Sequence, residues 1–270
     1  MKKAYKRGMT LLFLGIFLVS TLLLAGSLRD KRRGTSAYQE AVSIAVREES
    51  VTREVIPSVS ETVPPEVQWV PETIPKDPVM DDLAQIDLAA LREVNPDVVG
   101  WIIIPDTDIN YPLMQGEDDD FYLNHTWKGD KNSVGSIFLE YLCSPDLTGD
   151  NTIIYGHNMA NGSKFADLRN YAVKDFWKRS PFVYIVTEEG IFRYDIIAAY
   201  KADVDSLTYG VEFPAEDSKA NFLRYIRQES EFDTGIVPQV QDRILTLSTC
   251  YGTANEFRWV VQARLRMVPV

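Results

Sequence analysis

Arg243-Ile-Leu-Thr-Leu-Ser-Thr-Cys250, followed by Phe257-Arg-Trp-Val-Val-Gln-Ala-Arg-Leu-Arg-Met267, reads as two β-strands joined by a short connection. Side chains alternate between the faces of a strand. Leu245 and Leu247 therefore share one face, and Thr246, Ser248 and Cys250 the other. In the second segment Phe257, Trp259, Val261, Ala263 and Leu265 form an apolar face, with Arg258, Gln262, Arg264 and Arg266 opposite. If the strands pair through residues 251–257, Arg258 and Cys250 come out facing each other on the polar side. The apolar faces would enter a common core. A structural cysteine usually sits among apolar neighbours, whereas this one ends a polar face beside a loop, so that on this pattern alone a reactive and a structural thiol are equally open. A guanidinium next to it would stabilise a thiolate, or donate to an oxyanion as a carbonyl is attacked.

Upstream, Val98–Ile104, Ser136–Leu139, Thr152–Tyr155, Phe182–Thr187 and Ile191–Tyr200 have the composition of strands, the last two joined across Glu188-Glu189-Gly190 as a hairpin. The apolar spacing of Leu83, Ile86, Leu88 and Leu91 predicts a helix over Asp81–Glu93, ended by Asn95-Pro96-Asp97 because the residue before a proline is pushed out of the helical region. Short helices fit Ser163–Tyr171 and Asp175–Lys178. A long one opens at Pro214-Ala-Glu-Asp217 and carries Phe222, Tyr225 and Ile226 as an apolar stripe to about Ser230. No internal repeat is present. Many strands with few helices predict one mostly-β domain, closed or nearly closed into a barrel.

Two segments precede this body. Lys2, Lys3, Lys6 and Arg7 flank an uncharged apolar run from Met9 to Leu28 that closes on Arg29, Lys31, Arg32 and Arg33. The run has the length of a membrane-spanning helix. A cleaved signal peptide is the alternative, with Ala25-Gly26-Ser27 as small residues near its end, but the basic far flank favours an uncleaved anchor over residues 1–33. A single-pass protein of the cell membrane with its body outside is the expectation. Residues 34–80, with prolines at 57, 64, 65, 71, 75 and 78, predict an extended stalk. Residues 81–270 form the catalytic body, which should fold and act without the stalk and anchor.

The net charge of −11 is unevenly spread. Eight of the 28 basic and one of the 39 acidic residues fall within 1–33, which leaves 20 and 38 for the remainder. So acidic a body argues against a phosphate backbone as partner, and no nucleic acid is expected. The field would favour basic or amine-bearing substrates, although solubility alone also explains it.

A histidine-assisted thiol has two candidates, His125 and His157. His157 follows a β-branched strand in Thr152-Ile-Ile-Tyr-Gly-His157-Asn-Met, whereas His125 in Tyr122-Leu-Asn-His-Thr-Trp127 sits among aromatics as a structural residue. Two histidines do not make a multi-histidine zinc site, and no phosphate-cradling glycine pattern exists. No metal and no cofactor are expected. The second cysteine, Cys143, lies in a loop-like Leu142-Cys-Ser-Pro145 context and is not expected to bridge Cys250.

Thr246-Leu-Ser-Thr-Cys250 with Arg258 eight residues on, and Tyr155-Gly-His157-Asn upstream, resembles the sortase family over residues 81–270. Gly100-Trp-Ile-Ile-Ile-Pro105, Ile109-Asn-Tyr-Pro112, Gly135-Ser-Ile-Phe138 and Phe165-Ala-Asp-Leu168 extend the likeness. The helix near 215–230, the Gly-His-Asn triplet and an N-terminal helix before the barrel resemble class B in particular. The resemblance implies a closed eight-stranded barrel and a thiol transpeptidase of a Gram-positive-type bacterium. Cys250 would cleave a C-terminal sorting signal after its Thr through a thioester, His157 would move protons on and off the amines, and Arg258 would hold substrate and oxyanion. Ser248 and Thr249 would line the substrate pocket, unless they serve only strand packing. Partners would be secreted proteins carrying the signal and an amine of the cell wall's peptidoglycan. A pilus-assembling relative would use a pilin lysine instead; such relatives often carry a second, C-terminal span, and none is read before Val270. A papain-like cell-wall hydrolase would place its cysteine at a helix start ahead of the histidine, the reverse of the order here. A tethered adhesin with an incidental cysteine would need the Cys, His and Arg pattern to arise by chance.

Overall fold

The strand segments resolve into eight strands in a computed structural model that describes residues 2–46, 78–252 and 256–267. They are β1 (Val98–Ile103), β2 (Asn110–Met114), β3 (Ile137–Leu139), β4 (Asn151–Tyr155), β5 (Phe182–Thr187), β6 (Gly190–Asp203), β7 (Ile244–Cys250) and β8 (Phe257–Met267). They close a barrel in the order β1-β2-β3-β4-β7-β8-β6-β5. The β2–β3 and β4–β7 neighbours are parallel; β1–β2, β1–β5, β3–β4, β5–β6, β6–β8 and β7–β8 are antiparallel. The helices are α1 (Lys2–Ala45), α2 (Pro78–Leu83), α3 (Leu88–Val94), α4 (Lys174–Arg179) and α5 (Glu216–Glu229).

Both faces of β7 are covered, by different partners. Leu245, Leu247, Val261 and Ala263 join the barrel core, while Ile244 and Val260 pack outward with Phe222, Leu223 and Ile226 of α5. Burying an aliphatic side chain of this size contributes about 1.5–3 kcal/mol, and Leu247→Ala would cost about 2–5 kcal/mol. Glu216 and Asp217 in the first turn of α5 complement its N-terminal dipole. Lys219, buried on the packed face, reaches Asp150 Oδ1 at 2.5 Å. The polar residues of this outer face are consumed by the fold. Asn151 Oδ1 accepts from Thr246 Oγ1 (2.7 Å), whose oxygen accepts from Gln262 Nε2 (2.9 Å), while Tyr200 OH donates to Gln262 Oε1 (2.9 Å). Each member is buried with its partner, as a polar group removed from water requires.

Two predicted elements take a different form. The helix expected over Asp81–Glu93 is split into α2 and α3, because Asp87 leaves the helical conformation to cap the second, its carboxylate accepting from Ala90 N at 2.9 Å. The strand β2 was not expected, since Pro112 lies at its centre. It pairs with Trp101 of β1 but falls outside the stretch paired to β3, which comprises only Leu113 and Met114. A residue without an N–H is tolerated where no second ladder needs it.

The membrane anchor is corrected. Among the described residues no helix is long and apolar enough to cross a membrane. The apolar run lies on α1. The same helix continues through the charged Arg29–Arg33 to Ala45. The single-pass, cell-membrane placement with an outside body rested on that anchor and falls with it. Residues 34–45, expected as the start of the stalk, are the docked end of α1: Tyr38, Ala41 and Ala45 are buried against the barrel. Most of the expected stalk, residues 47–77, lies outside the described residues.

Candidate active site

Strand register brings three separated residues together. On the parallel β4–β7 ladder Tyr155 pairs with Ser248, and Gly156 N donates to Ser248 O at 3.1 Å, so His157 arrives beside Cys250. On the antiparallel β7–β8 ladder Cys250 pairs directly with Arg258. The six residues of β7 before Cys250 are buried and Cys250 itself is exposed. His157, Cys250 and Arg258 line one open pocket of ≈ 350 Å³ with Leu123, Tyr155, Tyr209, Ser248, Thr249 and Asp119.

The thiol and imidazole share the pocket, and each is the largest influence on the other's titration. His157 Nε2 donates to Leu123 O at 2.7 Å; a carbonyl only accepts, so this bond fixes the proton on Nε2 and leaves Nδ1 for the thiol. The hydrogen bond to His157 holds the Cys250 thiol below its ordinary value, against partial burial, and the charges of Arg258 and His157 act the same way. His157 is raised above its ordinary value, chiefly by the bond to Cys250, with burial opposing and the Leu123 carbonyl assisting. Both shifts act in the direction that moves the proton from sulfur toward imidazole and so favours a nucleophilic thiolate beside a proton donor. Asn158 Nδ2 donates to Cys250 O at 3.0 Å and ties down the strand end. Arg258 is half-buried and donates from Nη1 to Phe257 O at 3.1 Å.

Ser248 and Thr249 lie at the pocket wall and are nearly sealed. Ser248 Oγ is 3.0 Å from Tyr209 OH, and the buried Thr249 Oγ1 has no hydrogen-bond partner among the described residues. His125 stays outside this group, stacked on Phe121 with ring centroids 3.9 Å apart. Cys143 is buried, its Sγ 3.6 Å from Asn151 O and 3.4 Å from Ile153 N. Both cysteines are free. Among the described residues no acidic, histidine or cysteine cluster could hold a metal. The thiol ends a strand, unlike a papain-like site.

Sequence reasoning missed Leu123, Tyr209 and Asp119. Burial, then a hydrogen bond shared with Glu140, pushes the Asp119 carboxyl up to about 7, and Tyr155 OH donates to Glu140 Oε2 at 2.8 Å. None of the three had a signal; of the other pocket residues Tyr155 had one, its place two residues before His157.

Comparison with known proteins agrees with this geometry. A sortase-domain family model matches residues 102–266. The chain is 33% identical to Sortase B of Listeria monocytogenes over 265 residues, 96% of each chain. A solved Staphylococcus aureus sortase B–substrate complex superposes with a TM-score of 0.65 at 27% identity, covering 70% of this chain and 90% of that one. Sortase B from Listeria monocytogenes superposes with a TM-score of 0.60 at 38% identity, over 66% of this chain and 100% of that one. A closed eight-stranded barrel with its cysteine, histidine and arginine drawn to one pocket, matched over this length by these relatives, belongs to the sortase family of cysteine transpeptidases, and within it is most like the class B members.

Proposed function

We propose that Cys250 is the nucleophile of a transpeptidation that cleaves a C-terminal sorting signal after its Thr and passes the acyl group to an amine of the peptidoglycan. The observation that carries this reading is His157 and Cys250 in one pocket, with Arg258 as the direct strand partner of Cys250. In the first half-reaction the thiolate attacks the Thr carbonyl carbon and the developing oxyanion is held by the Arg258 guanidinium. The C–N bond then breaks, with the His157 proton going to the departing amine. In the second, His157 takes a proton from the incoming amine as it attacks the thioester, and the thiolate leaves. Splitting the reaction through a thioester suits transfer over hydrolysis, since sulfur is both a good nucleophile and a good leaving group. Ser248 and Thr249 shape the wall on which the signal lies. Asp120 lines the same pocket beside Asp119, and gives it an acidic side suited to an approaching amine.

The test is incubation of the protein with a panel of sorting-signal peptides and two amines, a glycyl cross-bridge peptide and a lysine-bearing pilin peptide, with products read by mass spectrometry. An amide formed with the cross-bridge amine and lost in Cys250→Ala is expected. Transfer to lysine alone would make the acceptor a pilin. Cleavage surviving in Cys250→Ala would overturn the reading.

A further inference from the structure

The docked part of α1 makes most of its polar contacts with the segment from Trp127 to Ser136. The Asp30 carboxylate accepts from Ser133 Oγ (2.7 Å), Ser133 N (3.2 Å) and Asn132 Nδ2 (3.1 Å). Trp127 Nε1 donates to Ala37 O at 2.7 Å, and Lys128 pairs with Glu40 at 2.9 Å. The buried Tyr38 OH donates to Gly135 O at 2.5 Å and lies 2.9 Å from Ser136 Oγ. Gly34 allows this close seat: a Cβ there would lie 2.6 Å from Asn132 Oδ1 and 2.8 Å from Val134 Cγ2.

The far side of the same loop holds His157. Leu123 O accepts from its Nε2, and Ser136 N donates to Tyr122 O at 2.9 Å, so the two ends of the loop are tied together. Gly135 has φ +60°, a conformation glycine adopts without steric cost. A Cβ on it would lie 2.9 Å from His157 Cδ2 and 2.6 Å from Leu123 O. Gly135 is thus gripped by Tyr38 through its carbonyl and packed by the His157 ring across its α-carbon.

We propose that Tyr38, carried by the docked half of α1, is a positioning residue for His157: by fixing Gly135 it fixes the wall that turns the imidazole toward Cys250. The inference rests on the reading of His157 and Cys250 as the reacting pair. The helix lies outside the matched family domain, which begins at residue 102. It predicts an impaired enzyme where the sequence led us to expect a body self-sufficient from Asp81.

The test uses the full chain with Tyr38→Phe and Gly34→Ala, measuring iodoacetamide alkylation of Cys250 against pH, peptide cleavage and the melt. The basic groups acting on the pair are Arg258 from β8 and Lys164 from the segment after β4, and neither belongs to α1. Tyr38→Phe keeps the ring that Lys164 Nζ overlies at 2.9 Å, and Gly34→Ala touches no titrating group at the site. A change in thiol titration then reports geometry. The expected result for both is an alkylation midpoint moved upward, toward that of an unassisted thiol, with kcat down about tenfold and KM within about twofold of wild type; misplacement of a catalytic group by 1 Å can cost about 100-fold. Lower melting with unchanged midpoint and kcat would overturn the proposal, since α1 would then be structural only. Should Tyr38→Phe fail to fold, Gly34→Ala decides. Cleavage surviving in Cys250→Ala would instead remove the reacting pair itself, an outcome separable from an unmoved midpoint.

Discussion

Tyr155 and Ser248 are parallel partners on β4 and β7, each two residues short of a reactive side chain. Continuing both strands by two residues places His157 beside Cys250, so the thiol–imidazole contact is a consequence of register. A one-residue slip would turn one of the two to the opposite face.

The first prediction follows from that contact. The Cys250 thiol should be alkylated by iodoacetamide with a midpoint below 9.0, the ordinary value for a cysteine, because the bond to His157 favours the thiolate. In His157→Ala the strongest lowering influence is gone while partial burial remains, so the midpoint should rise. An identical midpoint in wild type and His157→Ala, by pH-dependent alkylation followed with mass spectrometry, would sink the pairing.

Arg258 supplies the second. It is the antiparallel partner of Cys250, whereas Arg264 and Arg266, farther along the same face, lie at 3.6 Å from Asp242 and 4.0 Å from Asp195. Removing one oxyanion donor typically costs about 100- to 1,000-fold in turnover, so Arg258→Ala should fall that far with its melt intact. Arg264→Ala and Arg266→Ala should cost much less. Arg258→Lys should be a poor substitute, because an ammonium lacks the planar fork of donors. Near-normal turnover of Arg258→Lys would hand the oxyanion to backbone N–H groups near Cys250.

Period-two alternation made β5, β6, β7 and β8 legible, along with the facing of Cys250 and Arg258, because adjacent antiparallel strands are joined by short connections. The neighbouring of β4 and β7 was not legible. Those strands are parallel and nearly a hundred residues apart, and no local pattern encodes a parallel pairing. Pro112 hid β2, and Asp87 split a helix that apolar spacing alone had joined. The docked half of α1 was hidden by the stronger signal before it: the apolar run read as an anchor, although Tyr38, Ala41 and Ala45 recur at helical spacing. Leu123 and Asp119 reach the pocket from a loop whose course depends on packing around Tyr122 and Trp127, so their types carried no advance signal.

Cys143 gives the third prediction. Burial pushes its thiol up to about 11, and its sulfur lies within hydrogen-bonding reach of the Asn151 and Ile153 backbone. Iodoacetamide at neutral pH should modify one cysteine in the native protein, Cys250, and two after unfolding in urea. Cys143→Ser should retain most activity. Two labels on the native protein, or a 143–250 disulfide in active enzyme, would contradict this.

Lys164 gives the last. Its side chain is almost fully buried, its Nζ 2.9 Å from the centroid of the Tyr38 ring and 4.7 Å from that of Tyr111, and among the described residues the nitrogen has no hydrogen-bond partner. Ring faces recover part of the hydration a buried ammonium loses, but not all of it, so burial holds the group well below 10.5. The sign of the linkage follows. Between the depressed folded value and 10.5 the unfolded chain binds one more proton than the folded one, so stability rises with pH across that window and levels off below the folded value, where both states are protonated. The slope is at most about 1.4 kcal/mol per pH unit for one proton. The facing tyrosines do not cancel it, since burial raises the hydroxyls of both Tyr38 and Tyr111 and keeps them neutral there. Lys164→Met fills similar space without the amine. Its stability advantage over wild type in urea unfolding should therefore be largest at the acid end of the window and shrink as pH rises from 7 to 9. A difference between the two proteins that does not vary with pH would mean that Lys164 keeps its charge in the folded state, with the two tyrosine rings compensating its desolvation.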